Sequence, residues 1–248
     1  IYGYTIRDSG LLNMSVLLYG QYGATLVILS CYKLVSTNTY NIFKKFFFIS
    51  GILLGLVIIF ISGSKSPLIS IAITLIYLYK NKLSLLKSTL YILVLFIFIY
   101  NFAIDIVMMV NNFFPNTFLE RTIFALQNYD LIDGRTLLFF TGINEYISNP
   151  ILGNAFLLTT SSFEGSYPHN LILESFLALG FFGGILFLTL NYHVLIYANK
   201  LTLSNTKDWV SLLFIQFFIF GMFSGNLFSS TMYWICIGLI FLFNKRES

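Results

Sequence analysis

The stretch EGSYPHNLILESFLALG, residues 164–180, carries polar side chains directly into a long apolar segment. His169 and Asn170 come just before the apolar run 171–198, and Glu174 lies in the first turn of that run. A run of about 20 apolar residues is long enough to cross the hydrocarbon core of a bilayer. The stretch therefore predicts a membrane-spanning helix with polar groups gathered at one end.

The composition of the whole chain also favours a membrane environment. Of 248 residues, 57% are hydrophobic and only 10% are charged, and the mean hydropathy is +0.83. Soluble domains carry about a quarter of their residues as charged side chains, which this chain cannot supply. The predicted spans are residues 11–35, 46–61, 67–79, 85–110, 171–198, 210–223 and 227–243. The predicted fold is all-α, a polytopic membrane helix bundle of seven transmembrane helices.

Basic residues set the orientation, because Lys and Arg that flank membrane spans stay in the cytoplasm. With seven spans, alternate connections collect ten basic and two acidic residues, whereas the opposite side holds four basic and eight acidic residues. The C-terminus is then cytoplasmic, and the connection 111–170 faces outward. At about sixty residues it exceeds ordinary loop lengths, so we expect it to carry function. Helical patterns at 117–129 and 134–149 predict two surface helices inside it.

We treat residues 1–248 as a single membrane domain. The chain begins with Ile1 and lacks an initiator Met, so we expect it to be a fragment with earlier helices before it.

Three cationic side chains on the outer side, Lys65, Arg121 and Arg135, suggest an anionic ligand. A diphosphate carried by a lipid is the anion expected at that depth. Arg forms paired hydrogen bonds with phosphate oxygens, whereas Lys offers a point charge. The alternatives are that Arg121 and Arg135 lie on the polar faces of surface helices, and that Lys65 reaches water from a tight turn.

The polar group before the apolar run contains a candidate for proton transfer. Neutral His169 can accept a proton from a sugar hydroxyl where the geometry permits. Asn170 can cap the following helix, and Glu174 can meet the positive end of the helix dipole, so both have a structural explanation beside a role in substrate binding. His169 is therefore the sharper candidate for catalysis.

The sequence lacks the motifs that are typical of several other kinds of functional site. Cys31 and Cys236 fall within apolar spans and make no disulfide or metal framework. The sequence has no phosphate-cradling glycine loop, zinc spacing, serine nucleophile elbow or basic face for nucleic acid, and we expect no metal and no cofactor. Close glycine pairs predict helix packing at Gly51 and Gly55, Gly180 and Gly184, and Gly221 and Gly225.

The segments SGSKSPL, DGRTLLFFTGINEYISNPILGNAF and SYPHNLILESFLALGFFGG together resemble the O-antigen ligase and polymerase superfamily of bacterial membrane proteins. The resemblance covers about residues 62–184 and implies a GT-C-like fold. It also implies glycan transfer on the outer face of the cytoplasmic membrane, with an undecaprenyl diphosphate-linked oligosaccharide as donor. By this resemblance Arg135 would hold the donor diphosphate, and His169 would assist the acceptor hydroxyl or position the donor. Lys65 stands where the family usually shows Arg, and Ala155 replaces a glycine often seen there.

The function predicted first is a polysaccharide polymerase that passes the glycan to a lipid-linked repeat unit of O-antigen, capsule or exopolysaccharide. Its expected partners are membrane lipid and a chain-length regulator, without nucleic acid. An O-antigen ligase that transfers glycan to lipid A-core is the alternative. A membrane transporter would show two related halves with interrupted helices and charged residues at the bilayer midplane, and the sequence shows neither. A noncatalytic scaffold would leave the outer connection and Lys65 without a purpose.

Overall fold

The computed structural model describes residues 16–36, 42–62, 64–79, 134–159, 163–204 and 208–247, which form seven α-helices and no strand. In chain order the helices are α1 (Val16–Ser36), α2 (Ile42–Ser62), α3 (Ser66–Tyr79), α4 (Gly134–Ser148), α5 (Leu171–Ser204), α6 (Asp208–Phe223) and α7 (Thr231–Glu247). The all-α prediction is confirmed. Six helices match predicted spans and α4 matches a predicted outer helix, while the predicted span 85–110 and helix 117–129 lie outside the described residues.

Two of the described helices are long and apolar enough to cross a membrane, Ile42–Ser62 and Leu171–Thr202. In α2 only 17% of the apolar window is buried, and Phe43, Phe46 and Phe47 are each at least 70% exposed. A helix that is apolar and uncovered on most sides is suited to lipid rather than to water. These two helices indicate membrane association; α3, α6 and α7 are shorter apolar helices.

The chain divides into two compact units, Ile1–Leu131 and Ile132–Ser248. In the first unit, α1 packs against α2 and α3. A Cβ atom added at Gly55 would lie 2.7 Å from the carbonyl oxygen of Gly23, and one added at Gly51 would lie 2.6 Å from Ser30 Oγ. The absence of side chains at these positions lets α1 and α2 approach closely, which confirms the packing predicted for Gly51 and Gly55.

In the second unit, α5 contacts α4, α6 and α7, and α6 also contacts α7. Tyr233 on α7 is 1% exposed and donates its hydroxyl hydrogen to Asn191 Oδ1 on α5 at 2.7 Å. Its ring stacks on Phe214 and Phe218 of α6, with centroid distances of 5.9 and 6.2 Å. One buried tyrosine thus joins three helices, with its polar group satisfied inside the core.

Helix α5 is broken at Gly180, where φ is 63° and ψ is −162°. This conformation is essentially restricted to glycine. The predicted pairing of Gly180 with Gly184 as a helix-packing motif is therefore wrong for Gly180, which breaks the helix instead. The connection after α4 fills the gap, because Phe181 N–H donates to the Pro150 carbonyl at 2.8 Å and Asn154 N–H donates to the Leu177 carbonyl at 2.7 Å. Two hydrogen bonds to the connection thus satisfy the backbone groups that the break releases.

Candidate active site

A cavity of about 370 Å³ in the second unit is lined by three of the polar residues that the sequence singled out, Arg135, His169 and Asn170. Arg135 is the second residue of α4, and the other two immediately precede α5. Met222 and Phe223, at the end of α6, also line the cavity. Side chains 34 residues apart in sequence are therefore brought to one pocket by the packing of α4 against the start of α5.

The guanidinium group of Arg135 is held at the C-terminal end of α6. Its Nη1 atom donates hydrogen bonds to the Phe223 carbonyl and to Ser224 Oγ, both at 3.1 Å. The last carbonyls of a helix carry partial negative charge, which favours a cation there. Within the described part of the chain, the hydrogen bonds of Arg135 use Nη1 alone, so Nε and Nη2 keep donors for an anion in the cavity.

His169 adopts a backbone conformation that is uncommon outside glycine, with φ of 54°. Such conformations cost about 1–3 kcal/mol, persist only where the surroundings hold them, and cluster at functional sites. Pro168 is buried before it, and the ring of Tyr167 packs edge-on against the imidazole with centroids 4.3 Å apart. The turn and the ring contact together fix where the imidazole lies.

Asn170 is the N-cap of α5. Its Oδ1 accepts the Leu173 N–H at 2.9 Å, which confirms the capping role predicted from the sequence. Its Nδ2 also donates to the Met222 carbonyl at 3.3 Å. The side chain therefore ties the start of α5 to the end of α6, on the same cavity wall that holds Arg135.

Glu174 does not line the cavity of Arg135 and His169. It is 1% exposed, and its Oε2 accepts the Leu227 N–H at 2.9 Å. The Leu227 carbonyl in turn accepts a hydrogen bond from Trp234 Nε1 at 2.8 Å. Glu174 thus fixes the connection between α6 and α7, a role that its predicted interaction with the helix dipole did not anticipate.

Glu174 lines a second, larger cavity of about 840 Å³. Most of its wall is apolar: Phe156, Leu157, Leu179, Phe187, Phe228 and Trp234. Tyr167 lines this cavity while its ring contacts His169, which lines the smaller one. The Tyr167–His169 ring contact therefore links a residue of the larger cavity wall to a residue of the smaller one.

Sequence reasoning missed two side chains that shape the site. Glu145 is 4% exposed, and its two carboxylate oxygens accept the Thr159 N–H at 3.0 and 3.1 Å, which anchors the connection between α4 and α5. Glu145 lies three residues after Gly142 and seven after Leu138, so helical spacing puts it near the predicted apolar face, and this was the available signal. Ser224 follows α6, and the turn-forming sequence Ser-Gly-Asn on the predicted outer side was the signal there.

The remaining predicted site residues, Lys65 and Arg121, are not among the described residues of the second unit. Lys65 belongs to the first unit, where its side chain is exposed and its carbonyl accepts the Leu68 N–H at the start of α3. Arg121 lies outside the described residues. The roles predicted for both in substrate binding stay predictions. Among the described residues there is no group of three or more His, Cys, Asp or Glu side chains that could hold a metal ion.

A stretch of 73 residues, 29% of the chain, is 40% identical to a Rickettsia felis (strain ATCC VR-1525 / URRWXCal2) protein named "Putative polysaccharide ligase". The match spans 17% of that protein's length. No family model and no solved structure matches the chain. This local similarity supports the coarser part of the resemblance drawn from the motifs, a distant and partial similarity to a protein named as a polysaccharide ligase.

Proposed function

We propose that the chain is part of a membrane glycosyltransferase, a polysaccharide polymerase that moves a glycan from undecaprenyl diphosphate to a lipid-linked repeat unit. The observation that carries the proposal is the cavity of about 370 Å³ that is lined by both Arg135 and His169. A cation that can bind phosphate oxygens and a group that can accept a proton are the two elements that this reaction needs.

Arg135 is suited to the diphosphate. Its Nη1 is anchored to α6, and its other nitrogens still carry donors that can form paired hydrogen bonds to phosphate oxygens. The anchoring reduces the conformational freedom that the side chain would lose on binding. As negative charge develops on the departing diphosphate, a fixed guanidinium stabilises it without having to move.

In the proposed reaction, the acceptor hydroxyl oxygen attacks the anomeric carbon of the donor sugar. The new carbon–oxygen bond forms as the bond from that carbon to the diphosphate oxygen breaks, and undecaprenyl diphosphate leaves with the electron pair. His169 accepts the hydroxyl proton. Because one displacement suffices and no covalent enzyme intermediate is needed, we expect inversion at the anomeric carbon.

The neighbouring apolar cavity favours a lipid-linked substrate over a free sugar diphosphate. Such a substrate carries a polar headgroup next to a long hydrocarbon chain. The walls of the cavity of about 840 Å³ are mainly apolar, and one of its lining residues, Tyr167, contacts His169 of the smaller cavity. Burial of hydrocarbon against such walls stabilises binding in proportion to the area removed from water.

The hydrogen bonds of the site also support an extracytoplasmic location in the bacterial cytoplasmic membrane. Arg135 and Asn170 bind the end of α6, so the outer connection and the α6–α7 turn lie at the same end of the second unit. The charge pattern of the sequence predicts that both of them face outward. Lys200 and Lys245 lie near the far ends of α5 and α7, where the positive-inside rule requires them.

A second candidate is a ligase that transfers the glycan to lipid A-core. The Rickettsia felis relative is named as a polysaccharide ligase, which favours this alternative. Both reactions use the same donor and the same leaving group, so the acceptor distinguishes them.

The test is transfer by the purified full-length protein in lipid vesicles, supplied with lipid-linked repeat units and no nucleotide. We expect a ladder of products with a repeat-unit acceptor, and loss of the ladder in Arg135→Ala and His169→Ala. Removal of a general base typically lowers the rate by about 10²–10⁴-fold. His193→Ala is a matched control, because His193 is exposed on α5 and the chain has only two histidines.

Lys200→Ala is the corresponding control for loss of a positive charge, since Lys200 is exposed near the far end of α5. Both control variants should make normal ladders. Product only with lipid A-core would select the ligase. Normal ladders from Arg135→Ala and His169→Ala would reject the roles given to these residues.

A further inference from the structure

We infer that Ser224 is a positioning residue, whose hydroxyl aims the Arg135 guanidinium at the anionic group of the substrate. The inference rests on the proposed function and extends it to a residue on the α6–α7 connection, which the motifs of the chain do not include. Ser224 lies 89 residues after Arg135 and is 4% exposed.

The geometry gives Ser224 a defined effect on Arg135. The Phe223 carbonyl and Ser224 Oγ both accept hydrogen bonds from the same nitrogen, Nη1, at 3.1 Å. One acceptor would leave the guanidinium plane free to turn about that contact, whereas two acceptors hold its direction. Because bidentate recognition of phosphate depends on the orientation of the planar group, a fixed plane improves the fit to a diphosphate.

The acceptor itself is fixed by several contacts. The Ser224 N–H donates to the Phe220 carbonyl at 2.9 Å, which continues the last turn of α6. Asn170 binds the Met222 carbonyl on one side, and Glu174 binds the Leu227 N–H on the other. A hydroxyl held by a backbone tied at both ends can orient a long, flexible side chain.

The test measures binding of undecaprenyl diphosphate to the purified full-length protein in nanodiscs, with undecaprenol as the uncharged lipid of the same length. We expect the wild type to prefer the diphosphate, and Ser224→Ala to weaken diphosphate binding by about tenfold to a hundredfold, as for loss of a hydrogen bond to a charged group. Undecaprenol binding should not change. Ser224→Cys, which keeps the volume but is a weak acceptor, should show the same loss.

Two further variants separate positioning from a structural effect. Ser229→Ala removes an exposed hydroxyl from the same connection and should bind both lipids as the wild type does. In an Arg135→Ala background, Ser224→Ala should cause no additional loss, because the side chain that it positions is gone.

The outcomes distinguish this inference from the proposed function. If the wild type prefers the diphosphate and both Ser224 variants retain that preference, the positioning role is wrong while the proposed function stands. An equal loss from Ser224→Ala with and without Arg135 would also overturn it. If the wild type does not distinguish the two lipids, the proposed function falls and this inference falls with it.

Discussion

Replacement of Gly180 by alanine tests the break in α5 on which the site depends. The backbone at Gly180 has φ of 63° and ψ of −162°, a region where a residue with a Cβ atom is strained by about 1–3 kcal/mol. A Cβ atom there would also meet the Ile151 carbonyl oxygen and would lie 2.6 Å from the Gly153 nitrogen. Both contacts are with backbone atoms of the connection after α4, so relief requires that the connection move away.

We therefore expect Gly180→Ala to lower the free energy of unfolding by at least about 2 kcal/mol, from strain and overpacking together. For a chain of this size, that change lowers the melting temperature by about 4–8 °C. The transfer rate should fall by more than the loss of folded protein explains, because the displaced connection leads to His169. The assay is thermal unfolding of the purified protein followed by tryptophan fluorescence, combined with the transfer rate below the melting transition.

Gly238→Ala is the matched control. Gly238 lies inside α7, and a Cβ atom added there meets nothing within 4 Å. Alanine is favoured over glycine in a helix interior by roughly 0.5–1 kcal/mol, so this variant should be at least as stable as the wild type. A Gly180→Ala protein that unfolds with the wild type and transfers glycan at its rate would refute the argument for the break.

Three other perturbations test separate parts of the structure. Glu174→Ala should lower the free energy of unfolding by about 1–3 kcal/mol, because it leaves the buried Leu227 N–H without its acceptor. Glu174→Gln keeps an acceptor oxygen and should lower it less. Equal losses of the two variants in chemical denaturation would contradict this. Gly55→Leu should separate α1 from α2, since a Cβ atom at this position would already lie 2.7 Å from a backbone oxygen of α1. We expect a lower yield of folded protein in membranes, and an unchanged yield would argue against the close contact. In intact cells, an impermeant thiol reagent should label Ser229→Cys and spare Lys200→Cys, and the reverse pattern would invert the proposed topology.

The parts of the fold that depend on local sequence could be predicted. A long apolar run after a polar turn identified α5, and Asn170 at its start was correctly expected to cap it, because a cap joins groups only three residues apart. The lengths of the apolar runs likewise identified the all-α class. These features require no knowledge of what packs against them.

The features that could not be predicted depend on contacts between segments that are distant in the sequence. The run 171–198 reads as one continuous helix, because apolar spacing does not reveal that Gly180 takes a positive φ to admit the connection after α4. The hydrogen bond from Arg135 to Ser224 and that from Leu227 to Glu174 join residues 89 and 53 positions apart. Only the packing of α4, α5 and α6 brings these groups together.

The proposed reaction requires that Arg135 and His169 act together on a lipid diphosphate donor. Its most direct test is a single-turnover reaction that counts both the glycosidic bonds formed and the undecaprenyl diphosphate released. We expect equal amounts of the two products from the wild type, and a rate lower by at least about a hundredfold in Arg135→Ala and His169→Ala. Glycan movement without release of undecaprenyl diphosphate, or wild-type rates in both variants, would contradict it.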